Sequence, residues 1–210
     1  VVDKMQGVYI PFWLYSGNCE GSITAEGINT RTWTSGNYRY TEKKYYSVYR
    51  NGTLDFKAVP VDASSKTDDD AMDSIEPFDY SEMTAFNPGY LSGYLAERYD
   101  EDKDKCLPRA KERIENTTRD ELRNTCNYNS VNVQSYEKHT EIKDVKYAML
   151  PTWLLYTTYQ DKPYFFAMNG QTGKFIGNLP ISKGKLVAYS LLGGVGGYII
   201  GAILQIMGIF

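Results

Sequence analysis

The stretch YIPFWLY, residues 9–15, has a counterpart in MLPTWLLY, residues 149–156. Both contain an aliphatic residue, a proline, one further residue and then the pair Trp-Leu, and both precede strand-like segments that close on similar tails, VPVD at 59–62 and LPIS at 179–182. The match is short, so chance is an alternative, but a true repeat means that two related β units flank a different insert. Proline within each apolar run favours an edge strand or a bulge over the centre of a sheet.

Aromatic residues are unusually frequent, with 19 tyrosines and 3 tryptophans in 210 residues. Together with β-branched residues they predict strands at 31–33, 38–40, 45–49 and 164–168. Gly and Asn tolerate positive φ, so hairpin turns are expected at 35–37 and 51–52. Tyrosines interleaved with Arg and Lys can stack nucleobases, but cross-strand aromatic pairs on a half-exposed sheet explain the pattern more simply.

Residues 64–127 differ from both β units and are predicted to form a helical insert. Acidic residues open a first helix at 68–75, and the Glu-Pro pair at 76–77 ends it because the residue before proline resists the α region. Asn87, followed by proline, predicts the N-cap of a second helix that runs to about Arg98.

A third helix is predicted over 107–125, where charged residues outnumber apolar ones. Ile114 and Leu122 are spaced to reach one core but bury little surface, so this helix is expected at the protein surface. The helices of the insert are expected to pack together on one face of the antiparallel sheets.

These patterns predict an α+β fold of antiparallel β-sheet units with a helical insert, followed by a single C-terminal transmembrane helix. The expected soluble domain, 1–185, divides into a β unit at 1–63, the insert at 64–127 and a second β unit at 128–182. The segment 186–210 reads LVAYSLLGGVGGYIIGAILQIMGIF, has no charged residue and exceeds the roughly 20 apolar residues that span a bilayer. A buried core helix is the alternative, but a helix that is apolar all round and rich in glycine is atypical of a small core.

Gly193, Gly197 and Gly201 recur every four residues in this segment and make two overlapping GxxxG steps. Such a face lets a second helix approach closely, so self-association through it is one hypothesis and a monomeric span is the other. Lys183 and Lys185 precede the segment and no basic residue follows it, which places the large domain in the cytoplasm. The predicted location is the cell membrane, single-pass, with the lipid bilayer and a protein as partners.

The cysteines Cys19, Cys106 and Cys126 are widely spaced and odd in number. They make no CxxC pair, which excludes a zinc ribbon or redox motif built from this chain alone and fits free thiols in a reducing compartment. The chain starts with Val1 rather than Met and shows no signal-peptide pattern, so further residues are expected upstream. The net charge of −3 gives no general attraction to nucleic acid, and none is expected as a partner.

Seven carboxylates fall within residues 68–82, which we call the acidic segment, and the run opens with Asp68, Asp69, Asp70 and Asp73. Oxygen ligands suit a hard cation such as Ca²⁺, but the spacing is not that of an EF-hand. A solvated helix start is the simpler interpretation, and a metal site is the alternative. His139 has no Ser or Cys nucleophile motif nearby, and neither a P-loop nor a GxGxxG motif occurs. We therefore assign no catalytic, cofactor-binding or metal-ligating residue.

Residues 164–177, YFFAMNGQTGKFIG, resemble the strand, glycine-rich turn and strand of a PepSY-type hairpin. With 8–14, 74–80 and 150–153 they resemble a group of bacterial membrane proteins that contain TFIIB-type zinc ribbons, some of them labelled replication restart helicases. The resemblance implies cystatin-like strand-and-helix units, and zinc only in ribbons upstream of this chain, because the ribbon cysteines are missing here. It implies no helicase activity, since a translocase needs a phosphate-binding loop.

Two functions follow from these expectations. The first is a membrane-anchored, non-enzymatic binding or scaffolding module at the cytoplasmic face, with a sheet edge near 170–173 suited to strand addition by a partner. The alternative is a membrane-associated enzyme or enzyme regulator with a metal site in the acidic segment.

Overall fold

The structure is a computed structural model that describes residues 5–159, 161–177 and 183–206. The strands are β1 Gln6–Ser35, β2 Tyr38–Asp62, β3 Leu95–Ala96, β4 Ser130–Tyr159, β5 Lys162–Asn169 and β6 Phe175–Gly177. The helices are α1 Asp69–Ser74, α2 Lys103–Asn124 and α3 Lys183–Ile206, and single 3-10 turns cover Tyr80–Glu82 and Pro88–Leu91.

The six strands form a single sheet around β1. The order is β2-β1-β4-β5-β6 with antiparallel neighbours throughout, and the short β3 adds in parallel to the start of β1. β1 pairs with β2 over residues 12–35 and with β4 over residues 6–28. The β units predicted at 1–63 and 128–182 are therefore joined in one sheet.

The two repeat segments lie side by side in β1 and β4, with Pro11 opposite Met149. Both strands lie inside the sheet, so the prediction of edge strands is wrong for the strands as a whole. Pro11 lies one residue beyond Phe12, the last β1 residue paired with β2, and Pro151 lies one residue beyond Thr152, the last β4 residue paired with β5. Each proline therefore lies just past the point where the adjacent outer strand stops pairing, and a residue without an N–H is tolerated there.

Helix α2 covers one face of the sheet and buries a stripe of residues at every fourth position: Cys106, Ala110, Ile114, Thr118 and Leu122. It packs on the β1 residues Tyr15 and Ile23 in two apolar clusters. The helix begins four residues earlier than predicted, and the expectation that it buries little surface is wrong. Its contact face consists largely of small residues, which sequence periodicity of large apolar residues does not detect.

Helix α1 lies on the opposite face of the sheet. Alternate residues of β1, including Ile10 and Phe12, pack against Met72 and Ile75 at this helix, while the intervening residues point toward α2. The prediction that the helices share one face is wrong, because residues 8–15 are apolar at nearly every position and so both faces of this part of β1 require cover.

Local signals were accurate where one short motif decides the structure. Helix α1 lies within the predicted range 68–75, with Asp68 as its N-cap and Ile75 as its C-cap, and the hairpin from β1 to β2 turns at residues 36–37. The turn predicted at 51–52 is wrong, because β2 continues through it with Gly52 opposite Gly21 of β1.

The second predicted helix forms only its first turn. Asn87 caps it as expected, but the turn ends at Leu91 and Gly93 follows with φ of +86°. The chain then pairs Leu95 with Val8 of β1 as strand β3, so the helix predicted to run to Arg98 is replaced by sheet.

Helix α3 covers Lys183–Ile206, so the helical character of this segment is as predicted. In the part of the chain that the structure describes, no helix is long and apolar enough to cross a membrane. Six glycines together with Tyr189 and Tyr198 interrupt the apolar side chains of α3, and glycine adds no apolar side chain of its own. The predicted transmembrane helix at 186–210, and with it the single-pass location at the cell membrane, is therefore wrong; residues 207–210 lie outside the described residues. The fold class is corrected to a mainly antiparallel sheet with helices on both faces.

A substitution at Gly17 of β1 tests how closely β1 and β4 must approach each other. A Cβ at this position would overlap the backbone carbonyl of Glu141 in β4, where β4 carries an extra residue opposite β1. We expect Gly17→Ala to lower the free energy of unfolding by about 3 kcal/mol, because backbone has to move, as measured by urea denaturation. Gly52→Ala is the matched control: its Cβ makes only ordinary contact with Leu122, so its effect should stay within about 1 kcal/mol. Equal effects of the two variants would contradict this account.

Candidate functional site

The acidic segment divides into capping and ion-paired residues. Asp68 accepts a hydrogen bond of 2.8 Å from the backbone N–H three residues later and so caps α1, while Asp70 lies exposed in the first turn. Asp69 and Asp73 instead contact Arg109 of α2. The four predicted site residues are thus not gathered around one point.

Arg109 is the centre of a group of ion pairs. Its Nη1 lies 2.7 Å from Asp62 Oδ1 and 2.7 Å from Asp69 Oδ1, and its Nη2 lies 2.7 Å from Asp73 Oδ1. Asp62, at the end of β2, is buried, so this pair is shielded from water in a way that the exposed Asp69 pair is not.

Arg113, one helical turn later, extends the group. It donates to Asp73 at 3.1 Å, to Glu76 at 2.8 Å and to the backbone carbonyl of Pro60 in β2. We call these two arginines with Asp62, Asp69, Asp73 and Glu76 the arginine cluster. Because α2 and α1 lie on opposite faces, the cluster crosses the outer edge of β2 and joins the two helix layers.

Burial and pairing oppose each other in this cluster. Burial raises the pKa of the Asp62 carboxyl to about 6, against the lowering effect of its hydrogen bond to Arg109. Burial likewise raises the pKa of Glu76, although Arg113 lowers it in part. The hydrogen bonds to Asp62 and Asp73 raise the pKa of Arg109 and outweigh its burial.

The cluster pairs three of the seven carboxylates of the acidic segment with arginine. Arginine N–H groups contact one carboxylate oxygen each of Asp69, Asp73 and Glu76, whereas Glu76 Oε1 is buried and has no hydrogen-bond partner among the residues described. Among the residues described, no group of three or more His, Cys, Asp or Glu side chains is arranged to hold a metal ion.

A second candidate site, separate from the arginine cluster, lies beside the N-terminal half of β1 and beneath residues 79–99. Tyrosines of this segment pack on the repeat tryptophans: Tyr99 lies 5.5 Å from Trp13 and Tyr94 lies 5.8 Å from Trp153, between ring centroids with edge-on geometry. The indole N–H of Trp13 also donates to the Glu101 carbonyl at 3.0 Å. The tryptophans of the two repeat halves thus hold the same end of this segment, the one that contains Tyr94 and Tyr99.

Between this segment and β4 is a cavity of about 780 Å³, which we call the β4 groove. Its apolar lining consists of Tyr9, Met83, Phe86, Tyr90, Leu91, Tyr147, Met149, Leu150 and Pro151. The exposed fractions are 66% for Phe86, 57% for Tyr90 and 44% for Met83, and Tyr147 in the β4 wall is 44% exposed. Large apolar side chains therefore rim a groove whose β4 wall is apolar and only partly buried.

The hairpin between β5 and β6 closes one end of the groove. Asn169 donates to the carbonyls of Ile75 and Pro77 at 3.0 and 2.9 Å, and its Oδ1 accepts the N–H groups of the turn. Gln171 accepts from the backbone N–H of Asp79 at 2.9 Å. The turn at 170–173, predicted as an open edge for strand addition, is thus bound to the acidic segment within the same chain.

The remaining candidate residues show no such convergence. Cys19, Cys106 and Cys126 are buried free thiols, and burial raises the pKa of Cys106 to about 11, which keeps it protonated. His139 lies exposed on β4 opposite Glu20.

The helix-pairing face proposed from the sequence stays a prediction. A Cβ added at Gly193, Gly197 or Gly201 meets nothing within 4 Å, so this face of α3 is open. Sequence reasoning missed the β4 groove altogether, and the only signal for it was the density of aromatic residues between 78 and 99.

Comparison with known proteins adds one relative. "Uncharacterized protein YdjG" of Bacillus subtilis (strain 168) is 38% identical over 189 residues, which cover 90% of this chain and 55% of YdjG. The chain thus spans about half the length of this curated relative. No family model and no solved structure matches the chain. The resemblance to zinc-ribbon proteins and PepSY hairpins gains no support from these comparisons.

Replacing Arg109 tests the arginine cluster. We expect Arg109→Met to lower the free energy of unfolding at neutral pH by about 3 kcal/mol, because Asp62 is left buried without a cation. Arg119→Met is the control, since Arg119 pairs only with the exposed Asp120 at 3.2 Å and should contribute less than about 1 kcal/mol. Chemical denaturation of both variants measures the difference, and similar losses would show that the cluster does not bind the two layers together.

The pH dependence of stability tests the environment of Asp62. Its native pKa of about 6 lies above the unfolded value of about 3.9, so the native state holds the proton more tightly and its advantage is lost as pH rises through this window. Relative to Asp62→Asn, the unmodified protein should lose on the order of 1–3 kcal/mol between pH 4 and 7. A relative gain over the same range, measured by urea denaturation, would mean that Arg109 holds this pKa low.

Proposed function

We propose that this chain is a non-enzymatic binding module and that its β4 groove takes an apolar segment of a protein partner. The observation that supports the proposal is the exposure of Phe86, Tyr90 and Met83 around a cavity with a partly exposed apolar wall on β4. Exposed apolar side chains that rim a concave surface are typical of interaction sites.

The rigid support of the rim favours binding over accidental exposure. Tyr94 and Tyr99 fix one end of the segment on Trp153 and Trp13, and Gln171 fixes the other through Asp79. A preorganised rim reduces the entropy that is lost when a partner binds.

The polar groups of the groove are suited to orientation rather than catalysis. Glu82 accepts from the Gln171 amide at 3.3 Å, and Glu97 accepts from the Ser64 hydroxyl at 2.8 Å. Catalysis by a nucleophile would require a Ser, Cys or Lys beside a base, and the groove lining contains no such pair among the residues described.

Site-specific photocrosslinking tests the proposal. With p-benzoylphenylalanine in place of Phe86, we expect a discrete protein adduct in cells that express the full-length protein, identified by mass spectrometry. Tyr49 is the control position, because it is 60% exposed but lies on β2 outside the groove. Adding Met83→Glu should reduce the adduct about tenfold, because a charge in the apolar rim is costly to bury. Adducts that are identical at the two positions, or that persist with Met83→Glu, would contradict the proposal.

A further inference from the structure

The hairpin of β1 and β2 extends beyond the rest of the sheet. Ile28 is the last β1 residue paired with β4, opposite Ser130, so residues 29–44 form a two-stranded ribbon. Its base is held by Asn129, which accepts from the backbone N–H of Thr30 at 2.8 Å. Nearly all of its residues are exposed, and no helix of the described chain covers them.

One face of the ribbon combines aromatic rings with basic groups. Trp33 stacks on Tyr40, with ring centroids 5.6 Å apart and planes 14° from parallel, and the Arg31 guanidinium lies 5.7 Å from the Trp33 centroid. Tyr38, Glu42 and Lys44 lie on this face too, because their β1 partners alternate in step with Trp33, and Lys44 Nζ lies 3.6 Å from Glu42 Oε1. Tyr38 is 72% exposed and Trp33 42%.

The charge of the ribbon is opposite to that of the chain. Residues 29–44 contain Arg31, Arg39, Lys43 and Lys44 but only one acidic residue, Glu42, in a protein with a net charge of −3. Arg31 and Lys44 lie on the aromatic face, and Arg39 and Lys43 lie on the opposite face. The aromatic face is the face that α2 covers farther along the sheet, so the C-terminal turn of α2 adjoins it. There, Arg123 donates to the carbonyl of Val131, beside a shallow cavity of about 590 Å³ that Arg119 also lines.

We propose that this ribbon binds single-stranded nucleic acid. Bases stack on Tyr38, Tyr40 and Trp33, and phosphates pair with Arg31 and Lys44. Stacked rings alternating with cations on an open strand surface are the features that bind single strands without sequence preference. An acidic protein segment would pair with the cations, but its binding would not explain why three aromatic rings are exposed to water. The net charge argues against a general attraction to nucleic acid, but binding of a short strand depends on the local charge.

Fluorescence anisotropy with a labelled oligothymidine of about 20 nucleotides tests the proposal on the full chain. We expect saturable binding with a Kd below about 100 μM in low salt, weakened about sevenfold by a fourfold rise in salt if the two phosphates paired with Arg31 and Lys44 are contacted. Arg31→Ser with Lys44→Ser should weaken binding at least tenfold, and Trp33→Ala about tenfold. A duplex of the same length should bind more weakly than the single strand.

The matched control is Lys143→Ser with Lys146→Ser, which removes the same charge from exposed positions of β4 and should change Kd less than about twofold. We expect all variants to keep the thermal unfolding temperature of the unmodified protein, because the ribbon lies outside the core clusters. The proposal would be overturned if no binding is seen, or if the control loses as much affinity as the ribbon variant. It would also be overturned if duplex binds more tightly than the single strand and Trp33→Ala leaves Kd unchanged. If the protein self-associates in a salt-sensitive way and Arg31→Ser with Lys44→Ser abolishes this association, the ribbon binds a second copy of the chain. That result would overturn the proposal as well.

Discussion

Close approach between helix α2 and strand β1 is the constraint on which the rest of the structure depends. A Cβ on Gly21 would lie 2.9 Å from Thr118 Cγ2 and 3.0 Å from Leu122 Cδ1, so the helix rests directly on this strand. The facing residues of α2, such as Ala110 and Thr118, are small as well and fully buried. Small residues on both partners let helix and sheet lie in contact along five turns of the helix, and each contact is lost if the helix moves outward.

The position of α2 determines that of the acidic segment and, through it, the β4 groove. Arg109 and Arg113 reach around the edge of β2 because α2 lies close to the sheet, and their carboxylate partners hold α1 on the far face. The acidic segment then binds the β5–β6 turn through Asn169 and Gln171, and this turn closes the groove. A buried ion pair contributes little net stability compared with apolar packing, so the cluster is best understood as fixing the arrangement of the layers.

The sequence predicted what a local motif decides. An acidic first turn and a proline stop located α1, and a Gly-Asn turn located the hairpin tip, because these signals act within a few residues. It failed where distant residues decide. The partners of the acidic segment, Arg109 and Arg113, lie 36–40 residues from their carboxylates, and Trp13 contacts a segment 88 residues away. The terminal helix shows a further limit, since counting uncharged residues gave the same weight to glycine as to leucine. The groove could not be predicted because its two walls come from separate parts of the chain.

Residues from both ends of the chain form one cooperative sheet, with the groove and the ribbon at opposite ends of β1. Native-state hydrogen exchange followed by NMR tests this claim most directly. The amides of β1 in 8–15 and 17–27, whose side chains belong to different apolar clusters, should exchange with one common free energy equal to that of global unfolding, while those in 29–35 exchange much faster. Two distinct free energies for 8–15 and 17–27 would show that the chain consists of separate units and would contradict the account.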